Sequence, residues 1–156
     1  VRLNLGAGGA PLAGHVNVDR VQLPGIDVVH DLDAGPWPFP DGVVTWIEAK
    51  DVFEHVSDPI LFMTECWRVL VPMGCLRIRT PHYSSPDAFT DPTHRRHCTE
   101  YSFHYWIPGN VYYEQHNAAY GGVAFHLVSM QMDAGSMVVH LLKRSLTESL
   151  DVEVPA

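Results

Sequence analysis

Long apolar runs are missing from these 156 residues: none approaches the roughly 20 positions a bilayer-crossing helix needs. Residues 1–20 show no charged, apolar and small-residue succession of a secretory signal, so the expectation is a cytoplasmic protein without a membrane partner. Cysteine is scarce. Cys66, Cys75 and Cys98 form no CxxC pair, and an odd count tells against the disulfide framework of a secreted domain; reduced thiols are expected. Positive charge is also in short supply, with 10 Lys and Arg against 18 Asp and Glu. A formal charge of -8 repels polyphosphate at long range and disfavours nucleic acid as a partner; Arg95-Arg96 is the one adjacent basic pair. Internal repeats, low-complexity tracts and linkers are absent. With 46% apolar and 18% charged residues, the chain reads as one globular domain over 1–156.

Hydrophobic runs alternate with turns as in a parallel sheet. Val1 to Leu5, His15 to Asp19, Ile26 to Asp31 and Val43 to Ala49 read as four strands, each bounded by glycine or proline. Asp58-Pro59 supplies a helix cap with proline at the first helical position, and Ile60, Phe62, Met63, Trp67, Leu70 and Val71 form an apolar face that predicts a helix to residue 71. Pro72-Met73-Gly74 stops it. Cys75 to Thr80 then alternates Leu76 and Ile78 with Arg77 and Arg79, a fifth strand. Val123 to Met132 and Met137 to Lys143, separated by Asp133-Ala134-Gly135-Ser136, predict an antiparallel hairpin. The class expected is α/β, Rossmann-like and mostly parallel. Residues 81–122 are irregular and rich in histidine and aromatics, with one short helix from Thr99 to Trp106. Following a strand's carboxyl end, that segment should lie over a ligand crevice as a substrate-facing insertion or lid.

At the front, the strand Val1 to Leu5 runs into Gly6-Ala7-Gly8-Gly9, and the second strand ends on Asp19. A glycine turn lets backbone approach a ligand closely, and a carboxylate at the next strand tip accepts hydrogen bonds from a ribose diol, which points to an adenosine-containing cofactor. A dinucleotide fits poorly. Its GxGxxG pattern needs a third glycine where this chain has Pro11, and a pyrophosphate-binding helix for which Pro11 to Gly14 leave no room. Gly8 and Asp19 are only eleven positions apart, against about twenty in the dinucleotide fingerprint. A sulfonium cofactor has no phosphate to cradle.

Several segments in one order, LNLGAGG at 3–9, HVNVD ending at Asp19, VVHDL with Asp31, residues 36–59, and ECWRVLVPMGCLRIRTP at 65–81, resemble the landmarks of the class I S-adenosylmethionine-dependent methyltransferases. The resemblance runs from residue 2 to about residue 143 and implies S-adenosylmethionine as cofactor, held by Asn4, Gly6, Ala7, Gly8, Asp19, Asp31, Leu32 and Asp51. The chain departs from the family pattern in being pruned: the helices expected after the first and second strands have almost no residues to form them. Asn4 stands where the family usually carries an acid, and Asp51 where a histidine is frequent. Glu54-His55 resembles a family pair, with capping or packing at the helix start as the structural alternative for His55.

Methyl transfer to a hydroxyl needs a base, and an imidazole with an ordinary pKa near 6.5 suits it. His82 or His94, with Asp91 as orienting partner, are the candidate catalytic groups. Metal binding is a competing reading of the same cluster, since Asp91, His94 and His97 are spaced by three, although Pro92 interrupts the helix that would align them. The aromatics Phe103, Tyr105, Trp106, Tyr112 and Tyr113 serve as core, or line a sugar or planar-ring pocket. The resemblance implies methylation of a small-molecule or glycan acceptor. The alternatives are a cofactor-binding or interaction protein with little turnover, and a metal-dependent hydrolase; the sequence leaves oligomeric state open.

Overall fold

The computed structural model describes residues 1–144; the part of the expected single domain beyond them lies outside the described residues. Seven strands form one sheet in the order β3-β2-β1-β4-β5-β7-β6. They are β1 (Arg2–Leu5), β2 (Val16–Asp19), β3 (Val28–Val29), β4 (Val44–Lys50), β5 (Leu70–Pro81), β6 (Phe125–Asp133) and β7 (Ser136–Lys143). The first five pair in parallel, while β7 is antiparallel to both β5 and β6. The expected mostly parallel sheet with a C-terminal antiparallel hairpin is therefore observed. Ala134 and Gly135, at φ 46° and 83°, form the tight left-handed turn that joins β6 to β7.

Helix α1 (Pro59–Val69) begins as expected: the Asp58 carboxylate accepts from the Ile60 and Leu61 N–H groups, both at 2.9 Å. It ends two residues earlier than expected because Leu70 is already extended and pairs with Val44, as the approach to Pro72 favours. Strand β5 accordingly starts at Leu70 and not at Cys75. The expected third strand shrinks to Val28–Val29, its flanks being held by turns. Two short helices, α2 (Asp87–Thr90) and α3 (Val111–His116), and two 3-10 turns, Glu100–Trp106 and Asn117–Tyr120, occupy the segment between β5 and β6. Thr99 caps the first 3-10 turn through Tyr101 N–H. Among the described residues no helix connects β1 to β2, β2 to β3 or β3 to β4, so the pruning read from the sequence is real.

Strand register explains the alternation. Leu3, Ile47, Leu76 and Leu141 lie side by side across four strands, as do Leu5, Ala49, Ile78 and Val139, and all eight are buried. The intervening row sets Glu48 beside Arg77 and Arg77 beside His140; the first two form an ion pair, and Arg77 and His140 stay partly exposed. Parallel strands covered on both faces read as continuous apolar runs; these alternate because helices are lost from the connections that would supply cover. The core is joined to α1 by an aromatic chain, Trp37 to Phe62 at 5.6 Å, Phe62 to Phe53 at 5.7 Å and Phe53 to Phe103 at 5.1 Å between centroids. All three cysteines are free; Cys66 and Cys98 are buried, and burial pushes the Cys98 thiol up to about 11.

The buried Glu65 ties α1 to the loop before β4. It accepts from Trp37 N–H at 2.7 Å and from the Arg68 guanidinium at 2.7 and 2.8 Å. Burial alone would raise its pKa, but the Arg68 and Trp37 donors outweigh that and hold the carboxyl below its ordinary value. Its stabilising contribution is thus complete above the ordinary carboxylate range and lost as pH falls through the lowered folded pKa. We expect Glu65→Ala to cost about 2 kcal/mol at neutral pH, read by urea unfolding, since it strands a buried N–H and a half-buried guanidinium. The difference from the parent should shrink under acid conditions.

Candidate functional site

The order in which strands are added to the sheet reverses between the parallel neighbours β1 and β4, and an open α/β sheet parts its connections at such a point. A crevice of about 760 Å³ lies there, reached by Gly6, Asp19, Asp31, Leu32, Asp51 and His55. Its first wall is the loop after β1. Gly6 and Gly8 have φ of 62° and 51°, values that L side chains rarely adopt. The Asp19 carboxylate closes this loop, accepting from Gly8 N–H at 2.8 Å through one oxygen and from Val21 N–H at 3.0 Å through the other. Each oxygen retains lone pairs. Ala7 is buried, with its N–H donated to Val18 O at 3.0 Å.

Asn4 does not line the crevice. It is buried, and its amide donates to Asn17 Oδ1 at 2.9 Å and Ala10 O at 3.3 Å, so its part in the site is to orient the glycine loop. Asp51 reaches the crevice, but its carboxylate is ion-paired with Arg79, one contact being 2.6 Å, and its backbone is left-handed at φ 55°. Asp31 and Leu32 lie at the tip of β3, with the Asp31 carboxylate turning back to Asp33 N–H at 3.0 Å. Asp33 itself accepts from Ser57 N–H at 2.6 Å and Asp58 N–H at 3.2 Å, joining the β3 loop to the start of α1. Burial opposes its ionisation, but those donors and nearby Arg95 hold the carboxyl below its usual value.

The far wall is formed by Pro92, Thr93, His94 and Arg95 from the segment after β5. The Arg96 guanidinium donates to Phe53 O and to Val56 O, the latter at 2.6 Å, and Arg95 N–H donates to Glu54 O at 2.8 Å, fastening residues 91–98 onto the loop after β4. A second, smaller recess of about 310 Å³ shares Asp51, His55 and His94 with the crevice and adds Glu54, Asp87 and Asp91.

Of the three candidate catalytic residues, the structure brings His94 and Asp91 to this recess but not His82. His82 is buried, with Nδ1 against Ser84 Oγ at 2.7 Å and Nε2 3.3 Å from the Glu100 carboxylate, and it lines neither cavity. The expected Asp91–His94 dyad does not form through side chains. Asp91 accepts instead from the Thr93 hydroxyl at 2.7 Å, that hydroxyl lies 3.0 Å from His55 Nδ1, and His94 Nδ1 faces Ala88 O at 3.0 Å. A hydroxyl that gives its only proton to a carboxylate can only accept from an imidazole, and a carbonyl always accepts. In the neutral tautomer that these partners favour, each ring carries its proton on Nδ1 and Nε2 is the acceptor. The rings are 4.7 Å apart, edge to face. Beside them sits Glu54, 2% exposed, with Oε2 accepting from Thr80 Oγ1 at 2.9 Å and Oε1 without a hydrogen-bond partner; burial raises its pKa above the ordinary value. Sequence reasoning missed Thr93, although the Asp-Pro-Thr turn that positions it is a recognisable Asx pattern.

Residues 10–78 match a family described as a methyltransferase domain. A probable S-adenosylmethionine-dependent methyltransferase from Mycolicibacterium smegmatis is 35% identical over 63 residues, 40% of this chain and 24% of that protein, so the chain spans about a quarter of the relative's length. A putative methyltransferase from Bacillus halodurans shares the fold with a TM-score of 0.65 at 14% identity, over 92% of each chain. So does the 1,6-didemethyltoxoflavin-N1-methyltransferase of Burkholderia thailandensis, solved with S-adenosylhomocysteine, with a TM-score of 0.59 at 18% identity over 92% of this chain and 71% of that one.

The glycine loop offers a direct check. A Cβ at Gly6 would collide with Val52 Cγ2 on a backbone at φ 62°. Gly6→Ala should therefore lower stability by about 1 to 2 kcal/mol in thermal or urea unfolding.

Proposed function

We propose that this chain, a class I methyltransferase by its fold and by the domain matched over residues 10–78, binds S-adenosylmethionine in the large crevice and methylates a hydroxyl of a small-molecule or glycosyl acceptor. The observation that carries this reading is the Asp19 carboxylate at the tip of β2, which shapes the glycine turn and keeps acceptor lone pairs beside the crevice. Crevice size fits an adenosyl ligand, since small-molecule sites run from about 300 to 1,000 Å³. Gly6 supplies close backbone approach, Asp19 the ribose acceptors, and Leu32 with Val56 an apolar wall for adenine next to Asp31.

When bound, the cofactor supplies an electrophilic methyl group on a sulfonium. The chain's own contribution is position and proton transfer. The acceptor enters through the smaller recess, and its hydroxyl loses a proton to an Nε2 lone pair of His94 or of its neighbour His55 as oxygen attacks. Asp91, acting through Thr93, is a positioning residue for the His55 ring. His82 has no contact with this path. Both acid groups at the strand tips and the surplus negative charge of the chain suit a cationic, phosphate-free cofactor and an uncharged acceptor better than a nucleic acid.

Calorimetry with S-adenosylhomocysteine tests the site. Asp19→Ala should weaken binding by at least about ten-fold, the loss of charge-assisted hydrogen bonds. His94→Ala should bind normally and lose about a hundred-fold in methyl transfer to a panel of phenols and sugars, followed by mass spectrometry. Unchanged affinity in the Asp19 variant would overturn the assignment, and binding without transfer to any acceptor would favour a cofactor-binding protein of this fold.

A further inference from the structure

We propose that Glu54, His55 and His94 form a binding site for a divalent transition-metal ion of the zinc type. One ligating atom from each of the three residues lies within 4.8 Å of those of the other two. Two imidazoles and one carboxylate are a donor set that suits zinc, cobalt, nickel or ferrous ions better than magnesium or calcium, which take oxygen ligands. The trio is not the Asp91, His94 and His97 alignment that spacing suggests. Asp91 is turned to Thr93, and His97 packs its ring against Phe89 at 4.1 Å between centroids.

Three observations make this a built site. The Nδ1 of each imidazole is held by an outer partner, Thr93 Oγ1 for His55 and Ala88 O for His94, which fixes the tautomer that presents an unprotonated Nε2. The third residue is held the same way, with Thr80 Oγ1 on Glu54 Oε2. Finally, Glu54 Oε1 is buried and has no hydrogen-bond partner, a costly state for a carboxylate oxygen unless a cation or proton meets it. One potential ligand atom from each residue thus converges on the others, and a cation is a group that can satisfy all three.

Three protein ligands leave open coordination positions, and both the crevice and the smaller recess reach the two histidines. The ion would then hold an acceptor oxygen on an open position and lower its pKa, in place of a free imidazole base. That consequence rests on the methyl-transfer reading; the site itself does not.

Untagged, chelator-treated protein titrated with Co²⁺ gives the test. The expected result is about one ion per chain, with the intense visible absorption of a four- or five-coordinate nitrogen and oxygen site, displaced by Zn²⁺. His55→Ala and His94→Ala should each weaken uptake by at least about ten-fold, and Thr93→Val should weaken it less, as an outer partner. Glu54→Gln, which keeps the shape of a buried side chain, should do the same as the histidine variants; circular dichroism verifies that each variant is folded. Uptake by the parent no greater than by a His55→Ala/His94→Ala double variant would overturn the proposal, as would loss of the ion on His97→Ala with His55→Ala unaffected. Calorimetry with S-adenosylhomocysteine on the parent separates the two readings: failure there with Co²⁺ bound leaves the metal site standing and removes the methyltransferase reading.

Discussion

A buried pair of amides carries the front half of this molecule. Asn4 on β1 donates to Asn17 on β2, and Asn17 uses the rest of its side chain on the connections either side of β2: Oδ1 accepts from Leu12 N–H at 2.7 Å, and Nδ2 reaches Leu12 O and His15 O before the strand and the Asp27 carboxylate after it. A helix satisfies its own backbone, but a helixless connection must find partners for every buried N–H and C=O. Two asparagines supply them here. They set the height of β2 against β1, and with it the distance from the Asp19 carboxylate to the glycine loop that it closes.

The same economy shapes the rest of the site. With no helix after β1, β2 or β3, the crevice walls come from loops locked to one another by side chains: Asp33 to the start of α1, Arg96 to the carbonyls after β4, and Asp51 to Arg79. The first two are charged groups holding backbone and the third is an ion pair, and charge-assisted hydrogen bonds of both kinds are stronger than neutral ones. They also confine the loop after β4 so that Glu54 and His55 meet residues 91–94 from the other wall. A site assembled from two loops depends on this bracing.

Periodicity and punctuation made the architecture legible. The alternation in Leu76, Arg77, Ile78 and Arg79 foretold a strand with two unlike faces, and Asp58-Pro59 marked the start of α1 to the residue. Boundaries set by tertiary pairing were not legible: Leu70 leaves the helix because Val44 is there to pair with it. In the site, the glycine loop, Asp19, Asp31 and Leu32 fell where strand ends place them. Asn4 and Asp51 also lie close by, yet their polar groups are engaged by Asn17 and Arg79, partners distant in sequence. Of the histidine-rich segment, Pro92 to Arg95 line the crevice, and which histidine faces inward depends on the turn at Asp91 to Thr93 and on Arg96. His82 instead extends β5 by a bridge to Cys98 and is buried there. Sequence spacing cannot report such contacts, because they are made across the fold.

The partner that closes the glycine loop, the Asp19 carboxylate, belongs to the protein itself. A loop of that kind usually gives up conformational freedom when its ligand arrives, and the loss subtracts from affinity. Here the left-handed residues Gly6 and Gly8 are held by a carboxylate that is part of the folded core's edge, so their ordering belongs to folding. A sheet whose first three connections lack helices among the described residues can in this way present a rigid binding edge, and association would be limited by diffusion and desolvation more than by loop rearrangement.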